Sequence, residues 1–252
     1  ATPLGAYKAS FADPFRAILH PDVHHLAYGC DPQVIEDTLR THQIGLLLVE
    51  PVQARGGCRA PPPGWLRELR ELTSRHGVIL AFDEIYTGFG RTGADFACQE
   101  EGIIPDLLCV GKSLGGGYPI SACLGGPGVM AAWGASRGEA LHTQTFLGHP
   151  IGCAAARVTL RRLPETRARC AAVGQALAQS LSNAGFTVRG RGLLLGVELG
   201  ERSLAASRAL LQRGFITLPA GVDAEVLSLT PPATLTDLQL RAFVDALVAG
   251  SP

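Results

Sequence analysis

Four short apolar runs, separated by amphipathic or glycine-rich stretches, set the frame of the first half of the chain. Residues 44–49 are apolar throughout (Ile-Gly-Leu-Leu-Leu-Val), and the run is closed by Glu50 and Pro51. An unbroken run of that kind predicts a strand covered on both faces. Residues 78–82, 107–110 and 120–124 repeat the pattern. Between the first two runs, residues 63–76 place Leu66, Leu69 and Leu72 on one helical face, and Gly77 supplies the stop. Upstream, residues 31–41 predict a helix with Val34, Ile35 and Leu39 on one side. Strands alternating with helices in this rhythm predict βαβ units and a mostly parallel, covered sheet, an α/β architecture.

The rhythm changes near Pro150. Residues 151–163 read as an alanine-rich helix and 167–184 as a second one. Residues 187–198 read as a strand pair broken by glycine. A helix over 203–212, short strands over 215–218 and 226–229, and a closing helix over 236–248 follow, with Thr236 as its N-cap. This is an α+β arrangement. The division is placed at 1–158 for a large domain and 159–252 for a smaller C-terminal one, with the boundary inside a helix.

Composition narrows the function classes. At 252 residues and 46% apolar content the chain is long enough for one large domain or two smaller ones with real cores. Its formal net charge is zero, which suggests neither nucleic acid nor an acidic membrane surface as partner. No apolar stretch reaches the roughly 18 residues of a membrane span. The seven cysteines contain no C-x-x-C pair, and several sit inside apolar runs. They read as reduced thiols of a cytoplasmic protein, not as a disulfide framework or a zinc site. The adjacent His24 and His25 would face opposite sides of an extended segment, so no metal is expected there.

One residue stands out chemically. Of 22 basic residues only Lys8 and Lys112 are lysines. Lys112 follows the apolar run 107–110 and precedes Gly115, Gly116 and Gly117. Arginine stays protonated at working pH, whereas a desolvated lysine can lose its proton and act as a nucleophile toward a carbonyl. Asp83 closes the apolar run 78–82 and lies 29 residues upstream, about one βαβ step. Parallel strands would bring both residues to the carboxyl edge of the sheet, where open α/β sheets bind ligands. The pair is either a structural ion pair or the two contacts that pyridoxal phosphate needs: an amine for its aldehyde and a carboxylate for its ring nitrogen. Two nucleotide motifs fit less well. Gly88-Phe-Gly-Arg-Thr-Gly93 matches G-x-G-x-x-G, but two carboxylates and Tyr-Thr separate it from its strand. Gly111-Lys112-Ser113 lacks the first glycine of a P-loop, because position 106 is Asp106.

Glu50-Pro-Val-Gln53, the run from Phe82 to Gly93, Pro105-Asp106, Gly111-Lys-Ser-Leu-Gly-Gly-Gly117, Thr145-Phe-Leu-Gly-His-Pro150 and Arg189-Gly-Arg-Gly-Leu193 resemble, in order and spacing, the class III aminotransferases. These are fold-type-I pyridoxal phosphate enzymes. The resemblance covers nearly the whole chain. It implies a transaminase that moves an amino group between an amine or amino acid and a keto acid or aldehyde. Lys112 is implied as the catalytic Schiff-base lysine and proton shuttle, and Asp83 as the partner of the pyridine nitrogen. Ile85 would pack on the ring, and Tyr86 would stand near its hydroxyl. Thr145 would reach the cofactor phosphate of a partner subunit, which implies a homodimer. Aminomutases, decarboxylases, racemases and phospho-lyases share these motifs, and a truncated, inactive homologue is the alternative from another class.

Three features depart from the family pattern. Thr2-Pro-Leu-Gly-Ala6 resembles the segment after the family's aromatic-His-Gly motif. The chain is therefore expected to lack the N-terminal part, with its ring-stacking aromatic and phosphate-cradling loop. Arg55 stands where the family often has a carboxylate. Ser228 stands where many members have a carboxylate-clamping arginine, which leaves Arg55 as the candidate for substrate binding by charge type.

Overall fold

A computed structural model describes residues 22–139 and 145–250. The segment 2–6 and Lys8 lie outside the described residues. The first sheet has the order β1-β2-β3-β4, formed by Leu46–Val49, Ile79–Asp83, Leu107–Val110 and Ala122–Gly125. β1, β2 and β3 are parallel, and β4 runs antiparallel to β3. Two helices cover one face: α1 (Pro32–Thr41) and α2 (Trp65–His76). Asp31 caps α1 by accepting the Gln33 amide at 2.9 Å. Gly77 ends α2 at φ 67°, ψ 27°, a left-handed conformation that favours glycine. Ile35, Leu39, Trp65, Leu66, Leu69 and Leu72 pack on Leu80 and Phe82 as one core. Asp106 ties the layers together: its Oδ2 accepts the Leu80 amide at 2.8 Å and Arg70 at 2.9 Å.

Two expectations need correction here. Val34 is largely exposed, so α1 buries only Ile35 and Leu39. More consequentially, β1 is not covered on both faces. Leu46 and Leu48 are 46% and 39% exposed. On that face Met130 of the short helix after β4 reaches only the Leu107–Gly125 end, and β4 is exposed along its whole length. An apolar run records that a strand suits burial; it does not record what covers each face.

A short helix, α3 (Pro127–Met130), follows β4. The next helix, α4, is a single 34-residue element, Pro150–Asn183, rather than two. Pro164 lies inside it. Proline removes one amide donor to the carbonyl four residues back, here that of half-exposed Leu160, which water can serve. Cys170, Gly174, Leu177 and Leu181 keep one buried face running past that point. The N-terminal part of α4 packs on the Lys112 turn, through Ala156 against Leu114 and Val110.

The second sheet is antiparallel, in the order β5-β6-β8-β7, formed by Val188–Arg191, Leu194–Glu198, Val226–Leu229 and Leu218–Ala220. α5 (Ser203–Gln212) and α6 (Asp237–Gly250) complete this unit. Thr236 caps α6, with its Oγ1 accepting the Gln239 amide at 3.3 Å. The predicted strand 215–218 is shifted to Leu218–Ala220, because Phe215 turns back to bond Leu210 and packs edge-on against Phe243. Leu177, Leu181, Leu195, Val197, Leu210, Leu227 and Leu247 form a core separate from the first.

α4 and the β5–β6 hairpin touch backbone to backbone at Gly174. A Cβ there would lie 2.2 Å from the Gly192 carbonyl oxygen. Gly174→Ala should therefore destabilise the fold by about 2–3 kcal/mol, an overpacking cost that exceeds the roughly 1 kcal/mol gained in helix propensity. A lowered urea midpoint with unchanged slope would confirm it. An unchanged midpoint would mean that the hairpin yields freely.

Candidate functional site

The carboxyl ends of β1, β2 and β3 lie side by side, because Val49 pairs with Phe82 and Asp83 with Cys109. Each strand then delivers one piece of a site. β1 delivers Glu50 and the loop 51–59. β2 delivers Asp83, Ile85 and Tyr86. β3 delivers Lys112. All three apolar runs end where the chemistry begins.

Lys112 opens a one-turn 3-10 helix, Lys112–Gly115, with φ at +38°. That is a left-handed backbone for a residue with a Cβ, and such strain concentrates at functional positions. Its Nζ lies 3.5 Å from the centroid of the Tyr86 ring, a cation–π contact while the amine is charged. Neighbouring atoms exclude enough water to push the lysine pKa below its ordinary value, and the Asp83 and Glu50 carboxylates partly oppose this.

Asp83 accepts the Ile85 amide at 2.9 Å, which fixes the carboxylate at the strand end. Ile85 lies against the backbone of Gly111, where a Cβ would sit 3.6 Å from its Cγ2. Tyr86 packs on Val52, Ala54, Cys58 and Leu194, so the loop after β1 and the C-terminal hairpin together support the ring under Lys112. Asp83, Ile85, Tyr86 and Lys112 are thus brought to one place.

Glu50 joins them. It received no role from the sequence, although the signal that marks Asp83, an apolar run closed by a carboxylate, marks Glu50 equally. Its Oε2 accepts the Ala54 amide at 3.1 Å. Burial holds the Glu50 carboxyl above the ordinary carboxylate range; the Ala54 amide pulls it down, Asp83 pushes it up and Lys112 pulls it down. Two carboxylates therefore share the field of one lysine.

Arg55 is exposed on the same loop, with its carbonyl accepting the Gly221 amide at 3.0 Å. It flanks Cys58, whose Sγ lies 3.4 Å from the Ser228 Oγ. Burial pushes the Cys58 thiol pKa up; the Ser228 contact and the charges of Arg189 and Arg55 moderate the rise. Thr145 stands exposed on the turn before α4. The glycines of residues 88–93 serve packing. Gly90 and Gly93 admit Arg167 and Ala171 of α4, within 3.5 Å of where a Cβ would stand. A concavity of about 390 Å³ lined by Ala184, Phe186, Glu198 and Arg202 lies in the C-terminal unit, and none of the cluster's residues lines it. No described helix is long and apolar enough to cross a membrane.

Comparison with known proteins identifies the family and the fold. The chain is 39% identical over 235 residues to the acetylornithine aminotransferase of Mycolicibacterium smegmatis, a match covering 90% of this chain and 58% of that protein. It is 36% identical over 240 residues to the acetylornithine aminotransferase of Methanopyrus kandleri, covering 93% of this chain and 60% of that protein. Among solved structures, an ornithine aminotransferase from Toxoplasma gondii with partial occupancy of PLP at its active site superposes with a TM-score of 0.85 at 30% identity, covering 95% of this chain and 58% of that one. The chain thus spans about three fifths of the length of these relatives. The fold is the fold-type-I arrangement of those aminotransferases. The family model for class III aminotransferases matches residues 8–249, and the chain belongs to that family.

Proposed function

We propose that this chain carries the pyridoxal phosphate and substrate site of a transaminase, which passes an amino group from an amine of the ornithine type to a keto acid or aldehyde. The observation that carries the reading is the convergence of Lys112, Asp83 and Tyr86 at the carboxyl edge of three parallel strands. The donor class is taken from the relatives, which are acetylornithine and ornithine aminotransferases.

The residues present fit the cofactor. An amine with a lowered pKa, a fixed carboxylate, an aliphatic side chain and a phenol are the groups that an aldehyde, a ring nitrogen, a ring face and a ring hydroxyl require. When bound, pyridoxal phosphate supplies an electron-withdrawing ring next to the carbon that gains or loses a proton. Lys112 would hold the cofactor through its aldehyde, and its Nζ would take and return the proton. Asp83 would keep the proton on the ring nitrogen, Ile85 would pack on the ring face, and Tyr86 would stand near its hydroxyl. Arg55 offers the charge for a substrate carboxylate, in place of the arginine that Ser228 replaces. Thr145 serves the phosphate of a second copy in a cytoplasmic homodimer, and the chain divides near residues 158 and 159 into cofactor-binding and smaller units.

The test is direct. The chain is mixed with pyridoxal phosphate, reduced with borohydride and digested with trypsin. A fixed pyridoxyl group on Lys112 blocks cleavage there and leaves a labelled peptide spanning residues 92–137. Absence of that peptide at saturating cofactor would sink the proposal.

Glu50 supplies a second prediction. Its carboxylate helps hold the Lys112 pKa up, so Glu50→Gln should let the amine deprotonate, and the adduct form, at lower pH than in the wild type. Glutamine still accepts the Ala54 amide. In the fold the Glu50 pKa is raised, so its contribution to stability is present below the unfolded pKa and lost as pH rises through the folded value. The variant should therefore lose less stability than wild type between acid and neutral pH. Parallel pH titrations of adduct absorbance and of melting temperature check both signs.

A further inference from the structure

We propose that Cys109 and Cys123 form a reversible disulfide that staples together the two ends of the Lys112 loop. The two residues are direct cross-strand partners in the antiparallel β3–β4 pair. Their side chains therefore lie on one face of the sheet. The Cys109 carbonyl accepts the Glu84 amide at 2.9 Å and so points toward β2, away from β4. That makes Cys109 and Cys123 a non-hydrogen-bonded pair, the closer kind, with Cα atoms about 4.5 Å apart. Disulfides span Cα separations of roughly 4.4–6.8 Å, so the bridge needs little backbone movement. Both cysteines are free thiols, Cys123 exposed and Cys109 partly buried. Between them lie Lys112 and the glycines at 115–117, two of which have positive φ. In the reduced chain the ladder bonds between β3 and β4 join the two ends of that loop to each other.

The oxidant is a small-molecule disulfide. Cys123, the exposed sulfur, attacks one of its sulfurs as the thiolate; the S–S bond breaks and one thiol departs with a proton. The Cys109 sulfur then attacks the Cys123 sulfur, forms the protein disulfide and expels the second thiol, which takes the other proton. Two protein thiols and one disulfide become one protein disulfide and two small thiols. The second step is the slower one, because burial first, and the Cys123 neighbour after it, push the Cys109 thiol pKa up to about 11.

The test uses the full chain treated with bis(hydroxyethyl) disulfide, alkylated and mapped with trypsin without reduction. Cleavage at Arg91, Lys112 and Arg137 separates the two cysteines, so the bridge joins peptides 92–112 and 113–137. The linked pair, monomeric on a non-reducing gel and released by dithiothreitol, is the expected result. Cys98 shares the first peptide, so Cys98→Ser should still link, while Cys109→Ser should stop at a mixed disulfide on Cys123. Amide exchange of residues 111–121 should slow by about tenfold on oxidation, and not in Cys123→Ser. Unlinked peptides, a lasting mixed disulfide in the wild type or a linked dimer would overturn the pairing. A linked chain with unchanged exchange would overturn the stapling.

Discussion

Lys112→Ala should leave a folded chain in which pyridoxal phosphate no longer attaches at position 112 and the labelled 92–137 peptide is gone. The result is unusually clean to read, because Lys8 is the only other lysine and the guanidinium of an arginine does not serve as the amine. Stability should fall by no more than about 1 kcal/mol, the worth of an exposed cation–π contact. Lysine and alanine bear the +38° backbone equally, and the side chain lost is solvent-accessible. Under the proposed function, amino transfer should fall on the order of a thousandfold, because the group assigned to take and return the proton is missing. Label migrating to Lys8, or unchanged label in the variant, would place the attachment elsewhere. Lys112→Arg should fail in the same way, although it restores the charge over Tyr86. A requirement for charge alone would instead be met by arginine.

Much of this site was legible in the sequence, for a physical reason. Buried parallel strands are apolar through their length, so the residue that ends the run stands at the sheet edge where ligands bind. Asp83 and Lys112 stand out in the sequence for that reason, and Glu50 carries the same mark. What the local pattern could not convey was anything set by distant partners. The exposed face of β1 depends on what packs there, which the run of leucines does not encode. The passage of α4 through Pro164 depends on a buried face that continues on both sides of it, and on water for one carbonyl. The antiparallel run of β4 beside β3 depends on how the chain returns after the Lys112 turn, which no run of residues announces. The Cys109–Cys123 pairing has the same origin: 14 positions apart in sequence, they become opposite only through the register of that hairpin.

Glu84 is the least legible of all and carries the largest expected effect on stability. In the sequence it is one of two acidic residues after a strand. In the fold its side chain is fully buried, and it accepts the Thr87 hydroxyl at 2.8 Å, the Ala97 amide at 2.8 Å and the Cys98 amide at 2.9 Å. Ala97 and Cys98 begin a short 3-10 turn, Ala97–Glu101, and Glu84 satisfies its leading amides. The residues between Glu84 and that turn include Tyr86 and the glycines that receive α4, so one carboxylate closes the loop that supports the site. Glu84→Ala strands two buried amides, at roughly 1–3 kcal/mol each, and should cost about 3–5 kcal/mol in all. Glu84→Gln keeps one acceptor oxygen but turns an amide group toward donors, so it should cost less, about 2 kcal/mol. Urea unfolding of the three chains checks the order. Because the loop carries Tyr86, Glu84→Ala should also weaken retention of pyridoxal phosphate at temperatures where the chain remains folded, with Lys112 still labelled at high cofactor. Equal stability of the alanine variant and wild type would mean that water replaces the carboxylate at no cost, and that the loop is held by its packing against α4 alone.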